Sequence, residues 1–390
     1  MPIFFIRFLG RISRQGKRAW FALLFLAVAP ESIAAQSWSW TSEFVDQSAK
    51  FTSLAVDSHG SVHVSYTDNS SHVAKYAFRS AESSRWFTLE IERNLQNVTT
   101  HLALDSQGDP HICYPDWATL KYAHWNRQRW IIQEISPGGA KEYTCSLAIS
   151  ADGTPYVSWY QVRAANGSSY YHIRTAALQD GAWQARTIDF DGEAGKWNST
   201  VVDKEGKPFI SYSIFPSGEL KLAHWNGKQW DISFIDSLSV DTSKVIRGMG
   251  NTLRVDPQGR LHVSYYGEKE LRYAVKEADR WIIQKVDDIS TFGSWVGYLS
   301  GLDFDHAGHP HISYDDAGTL KHAYWDGKIW HTQVIALGAG DPYRYCSLGI
   351  APDDTIYISY RDPQDGSLKV AIGRPTVPSS STAVPSVRKD

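Results

Sequence analysis

Residues 53–66 read SLAVDSHGSVHVSY. Apolar and polar positions alternate on both sides of Asp57-Ser58-His59-Gly60, the pattern of two half-buried strands joined by a tight hairpin. Gly60 supplies the positive φ of such a turn, and Asp57 can accept its backbone hydrogen bonds. The stretch recurs along the chain. The turn glycine returns at Gly108, Gly153, Gly206, Gly259 and Gly308, Asp354 takes its place in a seventh copy, and the spacings run from 45 to 53 residues. The second run closes on Tyr66, Tyr114, Trp159, Tyr212, Tyr265, Tyr314 and Tyr360. Two more β-type runs complete each copy, as in LKYAHW (120–125) and WIIQEI (130–135). Four strands per copy, repeated around an axis, predict an all-β chain: a seven-bladed β-propeller with four antiparallel strands per blade.

The tryptophans that open the fourth strands locate the ring closure. They stand at Trp86, Trp130, Trp183, Trp230, Trp281 and Trp330, which leaves the seventh copy without one. The N-terminal WTSEFVD (40–46) aligns with WDISFID (230–236), so the N-terminal strand is expected to close the last blade. That arrangement leaves no unpaired edge at the seam.

The SLAVD…HVSY…LKYA…W pattern over residues 38–373 resembles the repeat-bearing seven-bladed propellers of exported bacterial proteins, within the broad sialidase-like group. The chain lacks the S-x-D-x-G-x-T-W box of true sialidases, so the resemblance carries over no catalytic residue. Residues 1–35 read as a signal peptide: Arg7, Arg11, Arg14, Lys17 and Arg18, then the apolar AWFALLFLAVA (19–29), then Ser-Ile-Ala-Ala. The expected parts are that leader, a propeller over 36–374 and a disordered tail over 375–390. The expected product is secreted or periplasmic, with no membrane span after cleavage. The whole chain carries −3 and the mature part about −7, without a basic run, so nucleic acid is excluded as a partner. The 16 Trp and 20 Tyr against 2 Met suit aromatic-packed strands. Cys113, Cys145 and Cys346 are too few, and odd in number, to read as a disulfide framework, and their spacing offers no metal site. No cofactor is expected, and a monomer is.

Repeated residues read as structural. His63, His111, His262 and His311 follow the turn glycine by three positions, and Asp57, Asp105, Asp256 and Asp305 precede it by three, so each pair can meet across its hairpin. The opening tryptophans and the LKYA runs read as blade-on-blade packing. Function belongs where copies differ, in the loops between blades and those joining second to third strands. These gather on one face of a propeller, an expectation that the resemblance supplies. The candidate ligand-binding residues there are Glu142, Tyr143, Trp197, Asn198, Arg247, Tyr298, Tyr343, Arg344, Tyr345, Trp117 and Asp316. Exposed rings beside amide, carboxylate and guanidinium groups suit a carbohydrate or other cell-surface ligand. Glycan binding without catalysis is the first reading. A polysaccharide lyase is the alternative, with Tyr143, His172, Tyr298, Arg247 and Arg344 as its possible machinery. A glycosidase would draw on Glu142, Glu268, Asp316 and Asp362, and a protein-interaction scaffold is a third class. No nucleophile elbow, zinc-protease helix, P-loop or dinucleotide fingerprint occurs.

Overall fold

The computed structural model describes residues 37–68, 70–95, 99–116, 119–136, 141–215, 217–237, 249–267, 269–289, 300–337 and 345–376, without the side chains of Glu142 and Met249. The leader, and the tail after Thr376, lie outside the described residues. Seven four-stranded antiparallel sheets follow one another, and no helix occurs among the described residues. Blade 1 is built from Lys50–Val56, Val62–Asp68, Val73–Arg79 and Phe87–Glu92. Blades 2 to 6 repeat this order. The first strands of successive blades touch all the way round, blade 7 to blade 1 included, so the ring is closed. The fold is the seven-bladed β-propeller that the repeats predict.

Closure follows the expected route. Ser37–Asp46 pairs antiparallel with Leu368–Thr376 and becomes the outer strand of blade 7, with Trp40 opposite Gly373. A Cβ at Gly373 would lie 2.7 Å from the Trp40 ring, so glycine makes room for the indole. Trp38 is buried, and its ring meets those of His311, His322 and Tyr324 in blade 6.

Each hairpin turn is fixed as its residues require. The Asp57 carboxylate accepts from the amides of His59 and Ser61 at 2.9 and 2.8 Å, and Gly60 sits at φ 83°. In the seventh copy Asp354 takes the left-handed conformation, at φ 61°. Inside the turns, His111 Nε2 lies 3.4 Å from Asp105 and His262 Nε2 3.0 Å from Asp256. The looser pairs, His63 with Asp57 and His311 with Asp305, stand at 3.6 Å. The other imidazole nitrogen has a partner that the sequence reading missed: Tyr76 for His63, Tyr122 for His111, Tyr273 for His262 and His322 for His311. These partners come from the LKYA run of the next strand, each diagonally across from its histidine.

Neighbouring blades are joined by two layers of polar contacts near the axis. In the first, Ser53, His101, Ser146, Ser199 and Ser347 accept the backbone N–H of Leu102, Leu147, Thr200, Leu253 and Leu54 in the next blade, at 2.9–3.2 Å. Blade 6 has Gly301 here, because a Cβ would stand 2.5 Å from the Leu348 nitrogen. In the second layer, Ser65 meets Thr100, Ser158 meets Asn198, Ser211 meets Asn251 and Ser264 meets Ser300. At the junction of blades 2 and 3 the same two positions hold Cys113 and Cys145, joined in a disulfide. This corrects the expectation drawn from the cysteine count. The two thiols come from adjacent copies, and blade packing rather than sequence spacing brings them together. Farther out, Trp86, Trp183, Trp330 and Trp40 donate from the indole to Glu43, Gln133, Gln284 and Gln333 of the preceding blade. The tryptophans therefore pack blade on blade, as expected.

Candidate functional site

The two sets of loops share one face, and charge holds them there. Asp46, Glu92, Asp189 and Asp236 end their outer strands, and Asp287 stands one residue before the end of its own. Each accepts the hydroxyl of the next blade's closing tyrosine: Tyr66, Tyr114, Tyr212, Tyr265 and Tyr314, at 2.5–2.8 Å. The same carboxylates bind a third-strand cation, as Asp46 binds Lys75 at 3.0 Å and Asp287 binds Lys321 at 3.0 Å. Burial by itself would lower the pKa of Lys75, but its bonds to Asp46 and Asp68 prevail and raise it. Burial, reinforced by the Asp46 bond, pushes the Tyr66 hydroxyl far above its ordinary value. These tyrosines remain protonated donors and act as structural clamps.

Two junctions depart from the clamp. The position of the carboxylate holds Ser136 before blade 3 and Ala336 before blade 7. Blade 3 departs furthest. Its closing aromatic is Trp159, with the Arg174 guanidinium 5.4 Å from the ring. Its middle strands, Pro155–Ala165 and Ser168–Gln179, have 11 and 12 residues, against six to nine in the other blades. The extra length extends a hairpin beyond the loop face.

The two sides of this ribbon differ. Tyr160, Val162 and Tyr171 share the side toward blade 4, where Ile173 packs with Ala194 and Ile210. Three tyrosine rings follow one another there: Tyr143 is tilted 40° against Tyr160 at 5.9 Å, and Tyr160 stacks on Tyr171 at 6.1 Å with planes 7° apart. Tyr143 is 46% exposed, whereas Tyr160 is buried. Burial first, then the negative charge of Glu193, raises the pKa of the Tyr160 hydroxyl. Glu193 also binds Lys196 at 2.5 Å, and the Lys196 ammonium lies 4.0 Å from the Phe215 ring. Aromatic rings, a carboxylate and an ammonium thus meet at the junction of blades 3 and 4.

The opposite side faces blade 2, where Trp159 packs with Cys113, Leu120 and Tyr122. Cross-strand register sets Trp159 opposite Arg174, Gln161 opposite His172 and Arg163 opposite Tyr170. Arg174 donates to Gln161 at 3.4 Å. Burial, together with the positive charges of Arg174 and Arg163, lowers the pKa of His172, so its imidazole is neutral near pH 7.

The remaining candidates scatter. Asn198 is buried and spends its amide on Ser158, Thr144 and Gly195. Asp316 is buried against Lys321 at 2.7 Å. Trp197 packs its ring beside the core of blades 5 and 6, and its carbonyl accepts from Asn251. Tyr345 rests on Phe51 at 4.3 Å across the seam of the ring. Trp117, Arg247, Tyr298, Tyr343, Arg344 and Glu268 lie outside the described residues, and Glu142 is placed by its backbone alone, opposite Gln161. Tyr160, Tyr171 and Glu193 were missed. The available signal was length: 30 residues separate Gly153 from Trp183, against 22 to 26 between the corresponding residues of the other copies.

No family model and no curated protein sequence matches this chain. Solved structures do. The chain is similar to an ulvan lyase of polysaccharide lyase family PL25, with 12% identity over 86% of this chain and 98% of that one and a TM-score of 0.55. It is similar to polysaccharide lyase Uly1, with 10% identity over 83% and 89% and a TM-score of 0.54. The six-bladed fucose-recognising lectin of Aleuria aurantia follows, with 15% identity over 77% and 99% and a TM-score of 0.49. At these identities the two lyases share the propeller fold with this chain, and nothing finer follows.

Proposed function

We propose that this is an exported propeller that binds a carbohydrate through its loop face, with the primary contact at the junction of blades 3 and 4. The observation that carries the reading is the row of tyrosine rings, Tyr143 tilted against Tyr160 and Tyr160 stacked on Tyr171, beside Glu193 and Lys196. Sugars present a C–H face to aromatic rings and hydroxyls to charged groups, and this junction supplies both. Polysaccharide-acting proteins built on the same propeller agree with the reading by analogy. Export is supported by the leader-like N-terminus and by the disulfide, since such bonds persist in oxidising compartments.

The second reading is a polysaccharide lyase, and His172 favours it. A neutral imidazole beside guanidinium groups suits removal of the C5 proton of a uronate, whose carboxylate the cation would stabilise. In that step the C5 proton passes to the base, the C4–O bond breaks, a C4–C5 double bond forms and an acid protonates the leaving oxygen. A glycan array run beside a polysaccharide-degradation assay separates the two readings. Retention of intact glycan by the parent, lost in Tyr143→Ala at unchanged melting temperature, is the expected result. Appearance of unsaturated uronate ends would replace it with the lyase. Undiminished binding by Tyr143→Ala would overturn the assignment of this junction.

A further inference from the structure

We propose that the axial channel of the ring, toward the end bordered by the Asp-x-x-Gly turns, binds an inorganic hydrogenphosphate ion between Arg254, His101 and Asp303. The inference stands independently of the carbohydrate reading. The first strands surround the axis, and each places one residue opposite the histidine position of its second strand. Five blades hold Ala55, Ala103, Ala148, Val201 and Gly349 there, whereas blades 5 and 6 hold Arg254 and Asp303. The layer leaves little room between blades: a Cβ at Gly349 would stand 2.8 Å from Leu54 and 2.9 Å from Val56. An arginine side chain is therefore turned toward the axis. Its charge reaches Asp303 of blade 6 and also His101 of blade 2, on the far side of the ring. His101 is itself a departure, in a layer where four other blades have Ser53, Ser146, Ser199 and Ser347. All three residues are partly exposed, although they sit on the innermost strands.

The backbone sets which of these groups donate and which accept. His101 Nδ1 accepts the Leu147 N–H at 3.2 Å, so the proton lies on Nε2, a donor that meets no acceptor among the described residues. Burial, then the charge of Arg254, takes the His101 pKa down to about 3 and keeps the ring neutral. Arg254 donates to the Leu253 carbonyl at 3.1 Å and forms no ion pair among the described residues. Burial lowers its pKa, but a guanidinium stays charged, and its remaining N–H groups match the oxygens of a tetrahedral anion. Asp303 accepts the Phe304 and Ile350 N–H groups at 3.0 Å, one on each oxygen, as an ionised carboxylate does. Beside an anion, that carboxylate repels an oxyanion without a proton and accepts a hydrogen bond from one that keeps it. Inorganic phosphate keeps a proton at neutral pH. Sulfate has none, and a phosphate monoester gives up its last at about pH 6. Two donors facing one acceptor thus select hydrogenphosphate.

The test is calorimetric titration of the purified protein at neutral pH with inorganic phosphate, sulfate and glucose 6-phosphate, with melting temperature as the folding control. Arg254→Ala and His101→Ser restore residues that other blades carry at these positions, and Asp303→Asn removes the charge at nearly constant shape. The expected result is one phosphate per chain, with sulfate and the sugar phosphate about tenfold weaker. Arg254→Ala should weaken phosphate binding about tenfold or more, and His101→Ser about threefold. Asp303→Asn should bring sulfate up to the level of phosphate. Absence of phosphate binding by the parent, or parent-like binding by Arg254→Ala, overturns the inference. Equal affinity of the parent for phosphate and sulfate overturns the assignment of hydrogenphosphate. If Arg254→Ala does not fold, His101→Ser decides in its place, since serine can still accept the Leu147 N–H, and undiminished binding by that variant sinks the channel site.

Discussion

Cys113, in the second strand of blade 2, is bonded to Cys145, in the first strand of blade 3, at the two positions where Ser65 of blade 1 meets Thr100 of blade 2 through a 3.0 Å hydrogen bond. The disulfide is a covalent version of a contact that the ring otherwise makes with hydroxyl and amide groups. It also fixes blade 3, which carries the extended hairpin, to blade 2. Cys346 of blade 7 occupies the position of Cys145, and Ser313 of blade 6 faces it from the position of Cys113. Burial pushes the Cys346 thiol up to about 12, so it is an inert, protonated side chain there.

Replacing Cys113 and Cys145 together by serine should restore the hydrogen-bonded form of the junction. Loss of a link across 32 residues should still cost about 2–4 kcal/mol. Denaturant unfolding under oxidising conditions measures this. Ser313→Cys should in turn form a second inter-blade bond with Cys346, read by thiol counting and peptide mapping. A Ser313→Cys protein with both thiols still reduced after oxidation would show that the two junctions differ in geometry.

The closing strand makes a separate prediction. Removing residues 37–46 strips blade 7 of its outer strand and uncovers the His311, His322 and Tyr324 rings that Trp38 covers. Insolubility or a large fall in melting temperature is expected. A truncated protein as stable as the parent would sink the assignment of this strand as the closure.

His111→Ala should cost about 1–2 kcal/mol, through the hydrogen bonds lost to Tyr122 and Asp105 inside the sheet. Saccharide binding by the folded variant should be unchanged. Selective loss of binding at parental stability would make this histidine functional rather than structural.

Acid should loosen the ring in two stages. Burial lowers the pKa of His63, His111, His262 and His322, the last also through the neighbouring His311. The unfolded chain takes up these protons near pH 6.5 and the folded chain only at lower pH. The unfolded state therefore binds more protons, and stability is full above about pH 6.5 and falls as pH drops below it. A second fall belongs to carboxylates such as Asp305. Burial would raise its pKa, but bonds from His311 and the His309 amide hold it down to about 2. Stability from Asp305 is present above the ordinary carboxylate range and is lost toward pH 2. His322→Tyr gives blade 6 the residue of blades 1, 2 and 5, and should make the first stage shallower. Melting temperatures between pH 7 and 4 decide it, and an unchanged slope would rule His322 out as a contributor.

The sequence alone determined the repeat, the strand count and the closure. Each of these rests on local rules: alternating burial, a turn that needs glycine or its equivalent, and a tryptophan opening each fourth strand. Asp57 and Gly60 make the same turn wherever they recur, because the hydrogen bonds involved span four residues. The partners across blades are decided by the tertiary structure. Cys113 and Cys145 read as unrelated thiols until packing sets equivalent positions of adjacent blades face to face. Asn198 and Asp316 read as loop-face polar residues, and the ring turns them inward to satisfy Ser158 and Lys321. Tyr160 and Tyr171 carried no sequence signal beyond an over-long copy, since a stack needs cross-strand register and a neighbouring blade to hold it. A repeat fixes what every copy does alike, by short-range hydrogen bonding and periodic burial. What one copy does differently depends on contacts between residues far apart in the chain, and these exist only once the ring has closed.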